Sequence, residues 1–395
     1  MKVLHVISGL AKTAGGTTEA VSKICHVQSK AGLDVTLVAF DYGERPPVLQ
    51  DAISAGVKYV PMKRLFGSPV LPSLDMMQRL PPLVKASDIV HVHGQWHFPN
   101  WYAPYCARRF SKPYVMMPHG ALEPERLKIS HLKKRILGIH LDKPALLKSD
   151  GVFVTAESER DGVEAYDIRG KSVVIPLGIS RAEFPHVAES AKEAVRAKLG
   201  IPQGKKLMLY FSRITQFKGV DLLAESWRQM KTFHTEWQLV LAGPDDHHGY
   251  LDEAKRYYAS LLDDGSYQFV GPVFGADRVA LLQTAECFVL PTRNENFSFA
   301  IAEAMVNGLP VVTTKGAPWA ILEEIDAGRW VDVSIGAIRQ GLTEIMSLSD
   351  TARADMGLRG RKYVEDFLSW DAIVKRQITA YESIIKGHAT KRGRE

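Results

Sequence analysis

The segment CFVLPTRNENFSFAIAEAMVNGLPVVTT, Cys287 to Thr314, holds one complete repeat of the chain's organisation. CFVLPT is a short apolar run and predicts a buried strand, RNEN reads as its loop, FSFAIAEAMVN predicts a helix closed by Gly308, and LPVVTT predicts the next strand. Strand, helix and strand in this order form the parallel crossover unit of an α/β protein. Glu295 in the loop and Glu303 in the apolar helix do not suit a plain core element, because carboxylates are rarely buried without a partner.

The same alternation runs outward in both directions. KVLHVIS, DVTLVAF, DIVHVHG, YVMMPHG and GVFVTAE predict strands in the first half; KLMLYFSR, WQLVLAGP and YQFVGPV join CFVLPT and LPVVTT in the second. Two α/β layers therefore follow one another, as a chain of 395 residues leads one to expect. Between them Pro176, Pro185 and Pro202 interrupt the pattern, and residues 178–204 read as a linker. The expected divisions are 1–185, 186–370, and 371–395 as a terminal helix with the basic tail KGHATKRGRE.

Composition excludes little. With 46% hydrophobic and 24% charged residues the chain reads as globular, and a net charge of +6 suits an anionic partner without naming it. Nucleic acid is disfavoured, because the basic residues are scattered and no aromatic residues interleave with them. Cys25, Cys106 and Cys287 are an odd number in apolar settings and predict free thiols. MKVLHVIS leads straight into a strand and no apolar run reaches spanning length, so the expectation is a cytoplasmic protein. The basic amphipathic stretch from Arg126 to Lys148 suits either peripheral contact with the inner face of the plasma membrane or a packed helix with a solvated basic face.

Open parallel sheets bind ligands beyond the carboxyl ends of their strands, so polar residues there carry the information. Arg213 closes KLMLYFSR, and Lys218 precedes the helix VDLLAESWRQM; two cations at one strand end suit a diphosphate. Asn296 to Phe299 stand at a helix start, where unpaired N–H groups favour phosphate, and Glu303 offers two acceptors to the paired hydroxyls of a ribose. Gly15 and Gly16 open the helix TAGGTTEAVSKI without the Gly-x-Gly-x-x-Gly spacing, which disfavours a dehydrogenase. His91, His93 and His97 in HVHGQWH lack a carboxylate or cysteine companion, and no Asp-x-Asp occurs, so neither a metal site nor a cofactor is expected. His91 reads as a satisfied core histidine.

Arg213-x4-Lys218-Gly219 followed by Glu295-x7-Glu303 and Asn307-Gly308-x-Pro310 resembles the retaining glycosyltransferases of family 4, the glycosyl transferase group 1 proteins, over nearly the whole chain. The resemblance implies a GT-B fold: two Rossmann-like domains facing across a cleft, with the last helix crossing back to the first. It implies a nucleoside-diphosphate sugar donor such as UDP-glucose, and a saccharide or lipid-linked saccharide acceptor. Glu295, His119, Arg213 and Lys218 take the catalytic positions. The donor falls to Gly15, Gly16, Arg213, Lys218, Gly271, Val273, Glu295, Asn296, Phe297, Ser298, Phe299 and Glu303, with His119 at the sugar's 6-hydroxyl. His93 and Trp96 are expected to line the acceptor cleft. The usual motif has glycine at the positions of Asn296 and Ser298. Two other readings share the architecture: a nucleotide-sugar 2-epimerase and a non-catalytic nucleotide-sugar-binding subunit.

Overall fold

The computed structural model describes residues 1–10, 16–122, 138–165, 168, 170–245, 249–261 and 264–392. The described chain divides into two compact units, 1–178 with 370–395, and 179–369. The chain leaves the first unit between Gly178 and Ile179, ahead of the sequence-read boundary at residue 185, and returns between Ser369 and Trp370.

The first unit is built on a seven-stranded parallel sheet in the order β3-β2-β1-β4-β5-β6-β7. Its strands are β1 (Lys2–Ile7), β2 (Asp34–Phe40), β3 (Lys58–Met62), β4 (Ile89–His93), β5 (Tyr114–Met117), β6 (Gly151–Val154) and β7 (Ser172–Val174). β1, β4, β5 and β6 are buried almost throughout, as expected of strands covered on both faces. Val35, Leu37 and Ala39 of β2 pack with Val21 and Cys25 of the Gly16–Lys30 helix on one face, while Leu4, Val38, Val90 and Met116 pack with Leu80, Phe98 and Ala103 on the other. His5 of β1 lies opposite His91 of β4 in the register.

The second unit repeats the plan with six strands in the order β10-β9-β8-β11-β12-β13. They are β8 (Lys206–Phe211), β9 (Trp237–Ala242), β10 (Tyr267–Gly271), β11 (Cys287–Leu290), β12 (Val311–Thr314) and β13 (Gly328–Val331). In both units the first strand of the sheet is central and the chain order reverses beside it, which opens the loops at its carboxyl end. The opening segment folds as read: β11, loop, the Phe299–Val306 helix, and β12 parallel to β11.

The stretch read as a linker belongs to the second unit. Its Glu189–Lys198 helix is anchored by buried Arg196, whose guanidinium donates to Thr284 Oγ1 at 2.9 Å and to the Lys205 carbonyl at 2.9 Å. The last helix, Trp370–Arg392, packs on the first unit: Ile384 lies over Gly151, and His388 Nδ1 meets Asp150 Oδ1 at 2.9 Å. The three cysteines are free and buried. Among the described residues no helix is long and apolar enough to cross a membrane. Residues 126–137 of the basic stretch lie outside the described residues; from there the chain runs through Gly138–Asp142 and the short Lys143–Leu147 helix.

Candidate functional site

In the second unit the reversal lies between β8 and β11. Arg213, just beyond β8, is exposed, and its carbonyl accepts from the Tyr210 hydroxyl at 2.8 Å. The chain then makes a short 3-10 turn, Gln216–Lys218, and enters the Val220–Arg228 helix through Gly219 at φ 72°. A Cβ on Gly219 would lie 1.9 Å from the Pro291 carbonyl oxygen, so the Lys218 loop sits directly on the loop after β11. Two further links hold the loops together. The Arg293 N–H donates to the Phe217 carbonyl at 2.8 Å, and the Arg293 guanidinium forks onto Asp221 with both bonds at 2.7 Å. The Lys218 ammonium consequently meets the Glu295 carboxylate in a largely buried ion pair. Arg213 stands outside that pair.

The loop of Glu295 is fixed from the β12 side. The Glu295 N–H donates to the Gly316 carbonyl at 2.7 Å, and a side chain at Gly316 would strike the Thr292 carbonyl oxygen at 2.3 Å. Phe297 turns inward against Trp319, whose indole N–H donates to the Phe297 carbonyl at 2.5 Å. Ser298 then adopts φ 71° and ψ 89°, and its hydroxyl does not cap the Phe299–Val306 helix. The left-handed backbone at Ser298 is the physical reason for a glycine at this position in the usual motif. Asn296 and Phe299 are half-buried on either side of it.

Glu303 is buried within that helix, and its carboxylate pairs with Arg278 of the Gly275–Thr284 helix. The Arg278 guanidinium also lies over the rings of Phe184 and Phe211, at 5.6 and 5.9 Å. The same helix follows Gly271 and Val273 at the end of edge strand β10. The Gly271 carbonyl is taken by the Gly243 N–H at 2.8 Å and the Val273 side chain is buried, so the side chain of this edge faces inward.

In the first unit the reversal lies between β1 and β4. Gly16 opens its helix on the surface, and Gly15 lies outside the described residues. His119 follows β5 at φ 55° and is half-buried. The loop is held from below by buried Glu159, which accepts from the Gly120 N–H at 2.5 Å and the Thr155 N–H at 2.7 Å. Trp96 has φ 70°, and its N–H donates to buried Asp142 at 3.0 Å. Burial pushes the Asp142 carboxyl up to about 6, with the Trp96 N–H opposing the rise. His93 was expected at an acceptor surface; the structure buries it completely, with Nε2 on His5 and Nδ1 on His119. The histidine group of this unit is His5, His91 and His93, whose ligand atoms lie within 4.8 Å of one another, while His97 precedes the Phe98–Arg109 helix apart from them.

Residues 191–363 match the family described as glycosyl transferases group 1, and residues 14–183 match glycosyltransferase family 4. The chain belongs to the group 1 glycosyltransferases of family 4. This glycosyltransferase is 25% identical over 394 residues to the GDP-mannose:cellobiosyl-diphosphopolyprenol alpha-mannosyltransferase of Xanthomonas campestris, covering 98% of the chain and 97% of the relative. Among solved structures it resembles a glycosyltransferase from Rickettsia africae, with a TM-score of 0.78 at 18% identity and 98% of each chain covered. Anabaena Alr3699/HepE in complex with UDP and glucose gives a TM-score of 0.74 at 15% identity, with 97% of this chain and 100% of that one covered. At these identities the likeness speaks for the fold, which is GT-B.

Several residues that shape the glycosyltransferase's site were not read from its sequence. Arg278 was open to inference, because a buried Glu303 demands a cation nearby. Glu159 and Asp142 gave no signal, since each acts on a loop 39 or 46 residues away.

Proposed function

We propose that the chain is a retaining, metal-independent transferase that moves a hexose from a nucleoside-diphosphate sugar, of the UDP-glucose kind, to a saccharide or lipid-linked saccharide acceptor in polysaccharide or glycolipid assembly. The observation that carries this reading is the meeting of Lys218 and Glu295 beside the start of the Phe299–Val306 helix, with exposed Arg213 on the neighbouring strand end. A diphosphate there gains two cations and a helix N-terminus, which stabilise the charge growing on the departing phosphate. Donor binding exchanges the Lys218–Glu295 pair: the ammonium turns to phosphate and the carboxylate to hydroxyls of the sugar. Glu303, on the helix that follows the Glu295 loop, takes the ribose hydroxyls, and the backbone of Gly271 to Val273 borders the base. His119 receives the sugar's 6-hydroxyl. Trp96 borders the acceptor, and the basic stretch from Arg126 to Lys148 supplies peripheral contact with an anionic membrane face.

Glu295 is already engaged by a cation and is better suited to orient hydroxyls than to attack the anomeric carbon. Transfer then proceeds on the leaving-group side, with a donor phosphate oxygen taking the acceptor's proton. Support for the donor class comes from the names of relatives, among them one acting on GDP-mannose and one solved with UDP and glucose. Incubation of the full chain with UDP- and GDP-hexoses and a panel of saccharide acceptors tests the reading. The expected product retains the donor's anomeric configuration, and turnover continues in EDTA. An inverted product, or activity lost to EDTA and restored by a divalent metal, overturns it.

A further inference from the structure

A line of hydrogen bonds runs through the interior of the first unit from its last helix to the end of β5. Gln28 donates from Nε2 to Gln377 Oε1 at 2.8 Å and to the Tyr381 hydroxyl at 3.1 Å. This leaves the phenol proton for His91 Nδ1, 2.6 Å away. Gln28 Oε1 faces His5 Nε2 at 2.8 Å, His5 Nδ1 faces His93 Nε2 at 2.8 Å, and His93 Nδ1 faces His119 Nε2 at 3.0 Å. Gln377, Gln28, His5 and His93 are wholly buried, and only His119 reaches partial exposure.

Burial lowers His5 and His119 to about 4 and holds His93 well below the usual histidine range, so all three rings are neutral at pH 7. A neutral imidazole has one N–H and one lone pair, which gives such a line a direction. The Gln28 carbonyl can only accept, so His5 carries its proton on Nε2 and presents a lone pair at Nδ1. His93 must then donate from Nε2, and His119 must donate from Nε2 in turn.

We propose that Gln28, His5 and His93 are positioning residues that lock His119 in the Nε2–H tautomer, so that its Nδ1 is a hydrogen-bond acceptor selecting a hydroxyl of the donor sugar. The acceptor role rests on the reading of His119 given above; the lock does not. The line also gives the buried glutamines and the strained His119 backbone a common purpose: the amide is oriented at one end so that a lone pair is oriented at the other.

Two measurements on the full chain test the two parts separately. Long-range proton–nitrogen correlation spectra of histidine-labelled protein, assigned with His119→Asn, read the tautomers directly. Expected are protonated Nε2 and bare Nδ1 on His5, His93 and His119, with His119 becoming a mixture in Gln28→Met. A wild-type His119 protonated on Nδ1 overturns the lock, whether or not the variants fold. Kinetics with UDP-6-deoxy-6-fluoroglucose, whose fluorine cannot donate, should show kcat/KM lowered about tenfold against UDP-glucose, the scale of one neutral hydrogen bond. Equal kcat/KM for the two donors, with the tautomers as expected, leaves the lock standing and overturns the acceptor role of His119. Should neither be transferred, the hexose donor that is transferred is compared with its 6-deoxy-6-fluoro form in the same way; should no UDP- or GDP-hexose be transferred, the parent reading has failed and the spectra alone decide the lock.

Discussion

Ser298 carries a left-handed backbone that a side chain resists, and its hydroxyl makes no cap in return. Ser298→Gly should therefore raise the melting temperature, by a stability gain of up to about 1 kcal/mol, whereas Ser298→Val should lower it, since a β-branched residue tolerates positive φ least. Glu303 and Arg278 make a different kind of pair, because one partner is buried and the other partly exposed. Removing Arg278 leaves a carboxylate in the interior, and Arg278→Ala should cost about 3 kcal/mol in urea melts. Glu303→Ala leaves only a cation that can reach water. Its expected signature is a loss of nucleotide affinity of about 1.5 to 3 kcal/mol by calorimetry with the fold intact. Unchanged affinity would remove the ribose role from this residue.

At the scale of elements, the interior strands were legible because they are buried on both faces and written as apolar runs, and three of the four sheet edges were not. β3 contains Pro61, β7 is three residues with a half-exposed pattern, and β13 is GRWV with only its glycine buried. Edge strands need neither alternation nor length, and a proline is tolerated there. Within the candidate site the split is similar. Arg213, Lys218 and Glu295 could be read because each is tied to a strand end in its own stretch of sequence. Gln28 and Gln377 could not, because their meaning lies in partners on other elements. The Gly138–Asp142 element supplies a test of such a partner. Asp142 titrates near 6 in the fold and at 3.8 when free, so the folded state holds the proton more tightly. Its burial thus costs nothing at low pH and destabilises increasingly as pH rises from about 4 to about 6, reaching about 3 kcal/mol. Asp142→Asn keeps an acceptor for the Trp96 N–H without the charge. The variant should exceed the wild type in urea midpoint at pH 7.5 and match it at pH 4; an equal difference at both pH values would show that the charge is not the cause.

At the scale of the molecule, the first unit is discontinuous in sequence and the second is continuous. Residues 179–369 should melt cooperatively as a separate fragment. A chain ending at Ser369 should lose amide protection in the strands β1 to β7 while keeping it in the second unit, because the missing helix supplies Gln377, Tyr381 and Ile384 to the first. Equal loss in both would contradict this independence. The same discontinuity sets an order on synthesis. As the chain leaves the ribosome, the second unit has all its sequence once Ser369 has emerged, while the half made first still waits for its closing helix. Throughout that interval Gln28 lacks Gln377 and His91 lacks the Tyr381 hydroxyl, so in the growing chain it is the older half, not the younger, that stands in need of a chaperone.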